Sequence, residues 1–577
     1  MTLILNTRET FAAQSLAGFV AANAARVRSA PGGVVRSTRR RPGKVAVVVG
    51  GGSGHYPAFA GMVGTGLADG AVCGDVFASP STRQVMDVCR AVDQGAGVWL
   101  SFGNYAGDVL NFSAAATRLR AQGMDLEVLA VTDDVASAGP DERHRRRGVA
   151  GDLVVFKVAG AAAEEGYDLA AVAGVATRAN DRTRTFGVAF AGCTLPGADA
   201  PLFSLDEGTM ALGLGVHGEP GVGDAPLPTA DELAQTLVET VLADAPGGSA
   251  RVAVLLNGLG SVKYEELFVL WDSVRPLLEA AGLDPVAPEV GELMTSLDMA
   301  GCSLTLTWLD DELERLWLAP ADSPAYRRTL PEPLDPTPVT AAAAPPAIRT
   351  SGEAGHRGAR CVLSALTAVD VRLQDLEDEL GRLDAVAGDG DHGRGMARGS
   401  AACVAAAREA VDAGADAPTT LRLGGEAWAD RAGGTSGALW GAGLLAAAEA
   451  LPQDAVPTGP DVVSAVVAAW VQVTTIGGAQ VGDKTLVDAL EPFARTLRRR
   501  TEDGDDLRTA WAAAASAADE GATSTRAMAA RMGRSRVLGE KSLGTPDPGA
   551  TSLAACMRAL EPLMGQDERT PTTEERR

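Results

Sequence analysis

The chain has 577 residues, more than a single hydrophobic core usually serves, so roughly two to four domains are expected. Hydrophobic residues make up 46% of the chain and charged residues 22%, as in ordinary globular proteins. The formal net charge of -23 argues against nucleic acid and anionic membranes as partners, because phosphate groups need a basic face on the protein.

Neither a targeting segment nor a membrane span is predicted. The first residues, Met1 to Asn6, lack the basic and apolar regions of a signal peptide, and the apolar run Val462 to Val473 is shorter than the ~20 residues that span a bilayer. The seven cysteines are scattered and form no CxxC pair, which is typical of small buried residues in a reducing compartment. A cytoplasmic protein is therefore expected.

Valine-rich apolar runs alternate with helical stretches and glycine-rich turns in the first part of the chain. Such runs are typical of buried strands in an α/β domain, whose ligands bind at the carboxyl ends of the strands. The sequence therefore predicts an α/β domain over residues 1–332, with parallel or mixed sheets. The predicted strands are Lys44 to Val49, Gly97 to Ser101, Leu126 to Val131 and Arg251 to Leu256.

A proline- and alanine-rich segment, residues 333–356, follows this domain and is predicted to be a semi-extended linker, because prolines fix φ and remove backbone donors. Beyond it, apolar positions from Val369 to Leu383 recur with spacings of four and three, which is one face of a helix. Alanine-rich stretches come next, without a convincing strand pattern. Residues 357–566 are therefore predicted to be all-α, and residues 567–577 to form a polar tail.

Three glycine-rich segments of the first domain carry candidate site residues. In Gly50–His55 (GGGSGH), consecutive glycines either form a nest of backbone N–H groups for a ligand or make a plain turn; the third glycine of a dinucleotide fingerprint is missing. Asp108, in GNYAGD, either accepts a hydroxyl proton or caps the following helix. His217 stands among the glycines of GLGVHGEPG, where little bulk shields it, and is either a solvated loop residue or a catalyst.

Three aspartates form the sharpest pattern of the second domain. Asp384, Asp389 and Asp391, which we call the carboxylate cluster, lie within eight residues of one another beside glycines. Like charges at this spacing repel one another unless a cation neutralises them, and oxygen ligands suit Mg²⁺. An EF-hand is excluded, because its sixth and twelfth positions would be Arg394 and Ser400. An exposed acidic turn is the alternative.

Two further segments of the second domain fit a nucleotide site. The segment Gly433–Gly437 (GGTSG) offers backbone donors and hydroxyl groups, and a late loop contains Arg534, Gly539–Lys541 and Asp547–Gly549. Each is equally compatible with a plain connection between helices. The chain has no Walker A sequence, which excludes a P-loop kinase.

Taken together, these segments resemble the dihydroxyacetone kinase family, and the resemblance spans nearly the whole chain. The order and spacing of the segments make the resemblance specific, although each alone would be weak. In the first domain they are GGGSGH, GDVFASPS, GNYAGDVLNF, AVTDDVA, GLGVHGEPG and NGLG. In the second they are the carboxylate cluster, GGTSGALWG, GDKTLVDAL, GATSTRAM and LGEKSLGTPDPGA.

The resemblance implies an ATP-dependent kinase that phosphorylates a short ketose. His217 aligns with the histidine that forms a covalent hemiaminal with the substrate carbonyl carbon. His55 and Asp108 match residues that contact the ketose hydroxyl groups, and Asp108 is the better candidate for the base. The substrate-binding residues implied in this way are Gly52, Ser53, Gly54, His55, Gly103 and Asp108.

For the second domain, the resemblance implies a helical barrel that binds ATP, with the carboxylate cluster as ligands of two Mg²⁺ ions. It also implies a homodimer. The residues implied to lie near the nucleotide are His392, Gly393, Thr435, Ser436, Gly482, Arg534, Asp547 and Gly549.

The chain departs from the family pattern at two positions. Gly103 stands where the family usually has lysine, and Tyr56 where it usually has glutamate. Both positions are expected near the ketose, and loss of the lysine side chain makes room for a four-carbon ketose such as erythrulose. Two alternatives to a kinase of this kind are a non-catalytic coregulator that senses ketose or nucleotide, and a second activity that cleaves FAD to a cyclic flavin phosphate.

Overall fold

The computed structural model describes residues 4–219, 221–329, 348–532 and 540–565. The chain divides into two compact units, Met1–Thr337 and Pro338–Arg577, which we call unit 1 and unit 2. This division lies within the predicted linker, residues 333–356. Most of that linker, residues 333–347, and the predicted tail, residues 567–577, lie outside the described residues.

The first sheet of unit 1 is built around parallel strands. Its spatial order is β1 (Val27–Ala30), β2 (Gly33–Arg36), β4 (Gly70–Val76), β3 (Ala46–Ser53), β5 (Val98–Gly103) and β6 (Leu126–Val131). The pairs formed by β3 with β4, β3 with β5 and β5 with β6 are parallel, while β1 and β2 add an antiparallel edge. Val47 and Val49 belong to one hydrophobic cluster and Ala46 and Val48 to another, so both faces of β3 are buried and its sequence is continuously apolar.

The second sheet of unit 1 is mixed, with an antiparallel centre formed by β7, β10 and β13. Leu255 packs in one core cluster and its neighbour Leu256 in another, so this sheet is also buried on both faces. Its strands are β7 (Thr183–Ala191), β8 (Thr209–Leu212), β9 (Gly223–Pro226), β10 (Arg251–Gly258), β11 (Asp284–Pro285), β12 (Glu289–Gly291) and β13 (Ala300–Trp308). A separate two-stranded ribbon consists of β14 (Ala321–Asp322) and β15 (Arg327–Arg328).

Helices pack against these sheets. The most deeply buried is α4, which is apolar along most of its length and lies in the core that also contains Val47 and Leu255. Several helices begin at a side chain that caps the backbone, such as Ser81 before α2 and Thr229 before α6. The helices of unit 1 are α1 (Phe11–Ala22), α2 (Thr82–Val92), α3 (Ala106–Ala121), α4 (Asp152–Glu165), α5 (Leu169–Asp181), α6 (Ala230–Leu242), α7 (Tyr264–Ala280) and α8 (Asp311–Leu318).

Unit 2 is helical throughout its described residues. The helices are α9 (Glu353–Asp375), α10 (Glu377–Asp384), α11 (His392–Asp412), α12 (Ala417–Ala432), α13 (Gly434–Glu449), α14 (Gly459–Gly477), α15 (Val487–Glu502), α16 (Leu507–Ser524) and α17 (Pro548–Leu560). Their apolar sides line a cavity of about 810 Å³ inside the unit. Residues lining this cavity include Val369, Trp428, Trp440, Val466, Val473, Trp511 and Leu553. Among the described residues, α14 is the one helix long and apolar enough to cross a membrane.

The predicted fold class is confirmed: unit 1 is α/β with mixed sheets, and the C-terminal region is all-helical. The four predicted strands overlap β3, β5, β6 and β10, with starts that differ by up to two residues. The single helix predicted from Val369 to Leu383 is instead two helices, α9 and α10, which meet at Leu376. The apolar spacing runs through the break because Leu373 and Leu380 are buried in the same core.

Candidate functional site

His217 lies on the loop that follows β8, in the glycine-rich segment singled out in the sequence. The expectation that little bulk shields it is wrong, because aromatic rings from other segments surround it. The ring centroids of His55, Phe77 and Tyr105 lie 4.8, 5.1 and 4.8 Å from that of His217, all in edge-on arrangements. These rings come from the ends of β3, β4 and β5, so the sheet edge itself forms the walls around the histidine.

The two histidines are oriented by hydrogen bonds at their Nδ1 atoms. Nδ1 of His55 lies 2.9 Å from the backbone oxygen of Thr295, and Nδ1 of His217 lies 2.7 Å from Oε1 of Glu219. Both partners are acceptors, so each Nδ1 carries a hydrogen. The two Nε2 atoms face each other at 3.1 Å. Burial, helped by the charge of His217, lowers the pKa of His55 to about 3.

Asp108 is buried close to this pair. It is the third residue of α3, whose N-cap is Tyr105, and it forms no cap, so the capping alternative left open by the sequence is not realised. Its Oδ1 has no hydrogen-bond partner. Burial raises the pKa of Asp108, while Ser79 and the charge of His217 work in the opposite direction. The arrangement presents a buried, unpaired carboxylate oxygen beside the imidazoles.

The glycines of GGGSGH do not form the nest considered above. Gly50, Gly51 and Gly52 continue β3, and each is required because its neighbours are too close for a side chain. A Cβ on Gly51 would lie 2.3 Å from Phe59, and one on Gly52 would lie 2.8 Å from the backbone nitrogen of Ala78. The chain turns only at Gly54, which has a φ of 104°, after Ser53 has donated a hydrogen bond of 2.6 Å to the Gly74 carbonyl.

Gly103 ends β5 in polar surroundings. A Cβ at this position would lie 3.2 Å from the Gly148 carbonyl oxygen, 3.4 Å from the Tyr105 ring and 3.5 Å from Oδ2 of Asp152. Asp152 is fully buried and neither of its carboxyl oxygens has a partner. Burial, together with the charges of Asp133 and Asp108, raises the pKa of Asp152 well above its ordinary value. The other departure from the family pattern, Tyr56, is half exposed and its ring packs on Phe19.

In unit 2 the carboxylate cluster is brought together as predicted from its spacing. One oxygen from each of the three side chains lies within 4.8 Å of the others. Asp384 ends α10 and Asp391 precedes α11, so the connection between two helices holds all three. Asp384 is half-buried, and the other two are exposed. Three carboxylates at this separation fit a divalent cation that keeps part of its water shell.

The polar segments around the start of α11 converge on His392. Its Nε2 lies 3.0 Å from the Ser552 hydroxyl, on α17, and its Nδ1 lies 3.3 Å from the Ser436 hydroxyl, on α13. Thr435, beside Ser436, is exposed at the start of the same helix. The neighbouring Gly393 has a packing role, because a Cβ there would lie 1.9 Å from the Glu377 carbonyl oxygen. Three helix ends therefore meet at one histidine.

A second polar group lies around Asp547, the N-cap of α17, whose Oδ1 accepts a hydrogen bond of 2.7 Å from the amide of Ala550. Burial raises the pKa of Asp547 to about 7, and the charge of Asp488 adds to this effect. Asp488 accepts hydrogen bonds from the amides of Gly482 and Thr485. Gly549 follows in the first turn of α17. Arg534, also predicted near the nucleotide, lies outside the described residues.

Several residues of these sites were not singled out in the sequence. Lys484 is buried in unit 2 and donates to the carbonyl oxygens of Met528, which precedes the late loop, and of Ser542 and Thr545, which lie within it. Glu219 was visible only as a letter of the GLGVHGEPG motif. Thr295 comes from a distant segment and acts through its backbone, so no side-chain pattern marks it.

Comparison with known proteins identifies the family. The Dak1 domain model matches residues 17–325 and the DAK2 domain model matches residues 386–561. The chain belongs to the dihydroxyacetone kinase family. It is 54% identical to the L-erythrulose kinase of Pectobacterium atrosepticum, over 98% of this chain and 97% of that protein. It is 53% identical to the D-erythrulose kinase of Mycolicibacterium smegmatis, over 97% and 98% of the two chains.

Among solved structures, the chain is similar to the dihydroxyacetone kinase from Citrobacter freundii in complex with AMP-PNP and Mg²⁺. The TM-score is 0.62 at 34% identity, and the match covers 97% of this chain and 99% of that one. The resemblance stated from the motifs is therefore confirmed, and both domains of the family occur in one polypeptide.

Proposed function

We propose that this dihydroxyacetone kinase family member phosphorylates a terminal hydroxyl group of a short ketose, with ATP as donor and Mg²⁺ as the metal. The observation that carries the proposal is the constellation in unit 1. It combines an oriented imidazole, His217, with a second imidazole, His55, and the unpaired carboxylate oxygen of Asp108. The high identity to two erythrulose kinases supports the same reaction class.

His217 acts in this proposal as the residue that holds the ketose. Nε2 adds to the carbonyl carbon, the π electron pair of the carbonyl moves to its oxygen, and that oxygen takes up a proton to give a hemiaminal. An alcohol such as glycerol has no carbonyl carbon and is not held. The tether fixes the reacting hydroxyl group in place, a positioning effect worth up to ~7–11 kcal/mol in favourable systems.

Asp108 acts as the general base. Its Oδ1 is buried and has no partner among the described residues, so it is available to accept a substrate hydroxyl hydrogen. Because burial raises the pKa of this carboxyl, it is a stronger base than a solvated aspartate. His55 lies against His217 and contacts the carbonyl end of the ketose. Gly52, Ser53 and Gly54 supply backbone groups beside it.

In unit 2 the carboxylate cluster fits the metal, since its oxygens converge within 4.8 Å on an exposed edge where phosphate groups can complete the coordination. Bound MgATP supplies the phosphoryl group and offsets its charge. His392 and the start of α13, with Thr435 and Ser436, would contact the phosphates through N–H and O–H donors. Gly482 and the Asp547–Gly549 turn would line the rest of the nucleotide site.

The ketose is proposed to be a ketotetrose such as erythrulose. Two relatives that are 53–54% identical over nearly the whole chain are erythrulose kinases. At Gly103 this chain lacks the long cationic side chain of the family pattern, and the Asp152 carboxyl and the Tyr105 ring lie next to that position instead. Without the lysine, a three-carbon ketose loses a hydrogen-bond donor. A four-carbon ketose has room to reach the polar groups next to Gly103.

A homodimer and a cytoplasmic location remain predictions for this chain, as does the absence of nucleic-acid and membrane partners. Sedimentation equilibrium of the purified chain measures the first directly.

The test of the proposed function is ADP release from MgATP in the presence of dihydroxyacetone, each erythrulose enantiomer, glyceraldehyde or glycerol. Turnover with at least one ketose and none with glycerol is expected. Binding of ketose without ADP release would favour the coregulator alternative. Release of AMP and a cyclic flavin phosphate from FAD would reveal the second activity. Absence of turnover with every ketose, at a metal concentration that supports nucleotide binding, would refute the proposal.

A further inference from the structure

Glu219 is placed to control the charge of the histidine that holds the ketose. Its Oε1 lies 2.7 Å from Nδ1 of His217, and its Oε2 accepts a hydrogen bond of 3.0 Å from the His217 amide. Burial works to raise the pKa of Glu219, but the hydrogen bonds and charge of His217 outweigh it and hold the pKa at about 2. The carboxylate is therefore ionised at neutral pH.

The loop around Glu219 is built for this contact. A Cβ on Gly215 would lie 2.1 Å from Oε2, so only glycine leaves space for the carboxylate to fold back over the chain. The Gly215 amide donates to the Glu219 carbonyl at 3.2 Å, which closes the turn. Ser296 donates from a distant segment to the carbonyl of Val216, immediately before the histidine. These bonds fix the backbone on either side of His217, and the carboxylate contacts the histidine through both its amide and its ring.

The contact between the two Nε2 atoms then fixes how many hydrogens the two rings carry together. Nδ1 of His55 and Nδ1 of His217 each donate to an acceptor, so two neutral rings would point two lone pairs at each other across 3.1 Å. One additional proton between the Nε2 atoms removes this repulsion. His217 contacts a carboxylate through Nδ1, whereas His55 contacts a neutral carbonyl oxygen, so the geometry favours that proton on His217, beside Glu219.

Two other charged groups, Arg147 and Asp108, lie close to the loop and the histidine pair. Arg147 approaches the same loop, but its Nε donates to Asp134 at 2.7 Å. Asp108 and Tyr105 also face the pair, and Tyr105 is neutral because burial raises its pKa well above the ordinary value. Among the described residues, Glu219 is the carboxylate that hydrogen-bonds a ring nitrogen of His217.

We propose that Glu219 is a positioning residue and a permanent counter-ion, which keeps the His217 ring cationic both before and after the ketose is bound. The inference rests on the covalent step of the proposed function. In the free enzyme the proton between the rings is on Nε2 of His217. It crosses to Nε2 of His55, which exposes the His217 lone pair, and passes to the carbonyl oxygen as the C–N bond forms. His55 is again neutral, and the positive charge remains on the alkylated His217 ring beside Glu219.

The carbonyl oxygen takes its proton from the histidine pair, so hemiaminal formation needs no acid from outside the site. The rings and Glu219 sum to zero charge in the free site, and they sum to zero in the hemiaminal, so the ketose binds without net uptake or release of a proton. Glu219 also selects which nitrogen reacts, because a ring held through Nδ1–H can add only through Nε2.

The first measurement is on the ketose-free protein and does not depend on the tether. Long-range ¹H–¹⁵N spectra of protein labelled at histidine count the hydrogens on each ring. Wild type is expected to show hydrogens on both nitrogens of His217 at neutral pH. E219Q is expected to show a neutral His217 ring, in which the substituted amide donates to Nδ1 and the single ring hydrogen lies on Nε2, toward His55. The control E142Q removes one exposed negative charge elsewhere in unit 1 and is expected to match wild type. A neutral His217 in wild type, or an unchanged ring in E219Q, would overturn the inference.

The second measurement is ketose affinity, with the bound state followed by the ¹³C signal of the carbonyl carbon. E219Q is expected to weaken ketose binding about 10- to 100-fold, by analogy with the loss of affinity when the hydrogen-bond partner of a metal-binding histidine is removed. MgATP binding to unit 2 is expected to be unchanged, and an unchanged hydrogen on Nδ1 of His55, which requires the contact with the distant Thr295 carbonyl, shows that unit 1 folds in the variant. If wild type binds ketose with its carbonyl carbon unaltered, the tether fails while the ring charge can still be read. Equal affinity of E219Q and wild type would refute the role of Glu219.

Discussion

Replacing Asp547 with asparagine tests whether ionisation of this buried carboxyl group lowers the stability of unit 2. Asp547 caps α17 through Oδ1, and asparagine can accept the same hydrogen bond from the Ala550 amide. The substitution therefore removes the charge and keeps the cap. Since the folded protein raises the pKa of Asp547 from 3.8 to about 7, the folded state holds a proton that the unfolded chain has already lost. Stability contributed by this group therefore falls as the pH rises from about 4 to about 7 and stays low above that.

The magnitude follows from the difference between the two pKa values, about 3 units for Asp547. At 1.36 kcal/mol per unit, ionisation of the wild-type side chain costs up to about 4 kcal/mol at pH 8 and about 2 kcal/mol at pH 5. Because the side chain is partly accessible to solvent, about half of these values is expected in practice. A gain of about 2 kcal/mol corresponds to about 4–8 °C in melting temperature for a unit of this size.

The assay is differential scanning calorimetry of the full chain without nucleotide or metal, at pH 5 and pH 8. D547N is expected to melt above wild type at pH 8, with a smaller difference at pH 5. Asp416→Asn is the matched control, because Asp416 caps α12 in the same unit. Burial works to raise the pKa of Asp416, but hydrogen bonds from Thr419 hold it below its ordinary value, so D416N is expected to lose stability at pH 8. A D547N variant that melts with wild type at both pH values would refute the reasoning.

Three further predictions concern activity. Asparagine at any one position of the carboxylate cluster is expected to lower Mg²⁺-dependent ATP turnover by about 100-fold or more while ketose binding persists, because each carboxylate offsets metal charge. The exposed E426Q on α12 is the control, and near-normal turnover in a triple variant would show that the cluster is only an acidic turn. D108N is expected to lower kcat by about 10²–10⁴-fold with little change in ketose affinity, and an unchanged kcat would exclude Asp108 as the base. Wild type is expected to prefer erythrulose over dihydroxyacetone by about 10- to 100-fold in kcat/KM, and Gly103→Lys is expected to shift that ratio toward dihydroxyacetone. A wild-type preference for dihydroxyacetone of about tenfold would contradict the proposal that Gly103 makes room for a four-carbon ketose.

The sequence by itself determined the fold class and the identity of most candidate side chains. Runs such as Lys44 to Val49 are continuously apolar because both faces of a parallel strand are buried, and that pattern needs no partner to be visible. The carboxylate cluster was also predicted, since its members are close along the chain and like charges at short spacing repel one another unless a cation neutralises them. The spacing of the apolar positions from Val369 to Leu383 also predicted a helix, although it did not reveal the break at Leu376, because the buried face continues across that residue.

Only the tertiary structure decided how the candidate site in unit 1 is arranged. His55, His217 and Thr295 are far apart in sequence, and folding brings the two Nε2 atoms together and places the Thr295 carbonyl oxygen at Nδ1 of His55. The aromatic walls around His217 come from three other segments, so the glycines beside it gave a false impression of an open loop. Charge states depend on burial and on neighbours in space, which local composition does not encode, and this is why Glu219 and Asp152 emerged only from the folded chain.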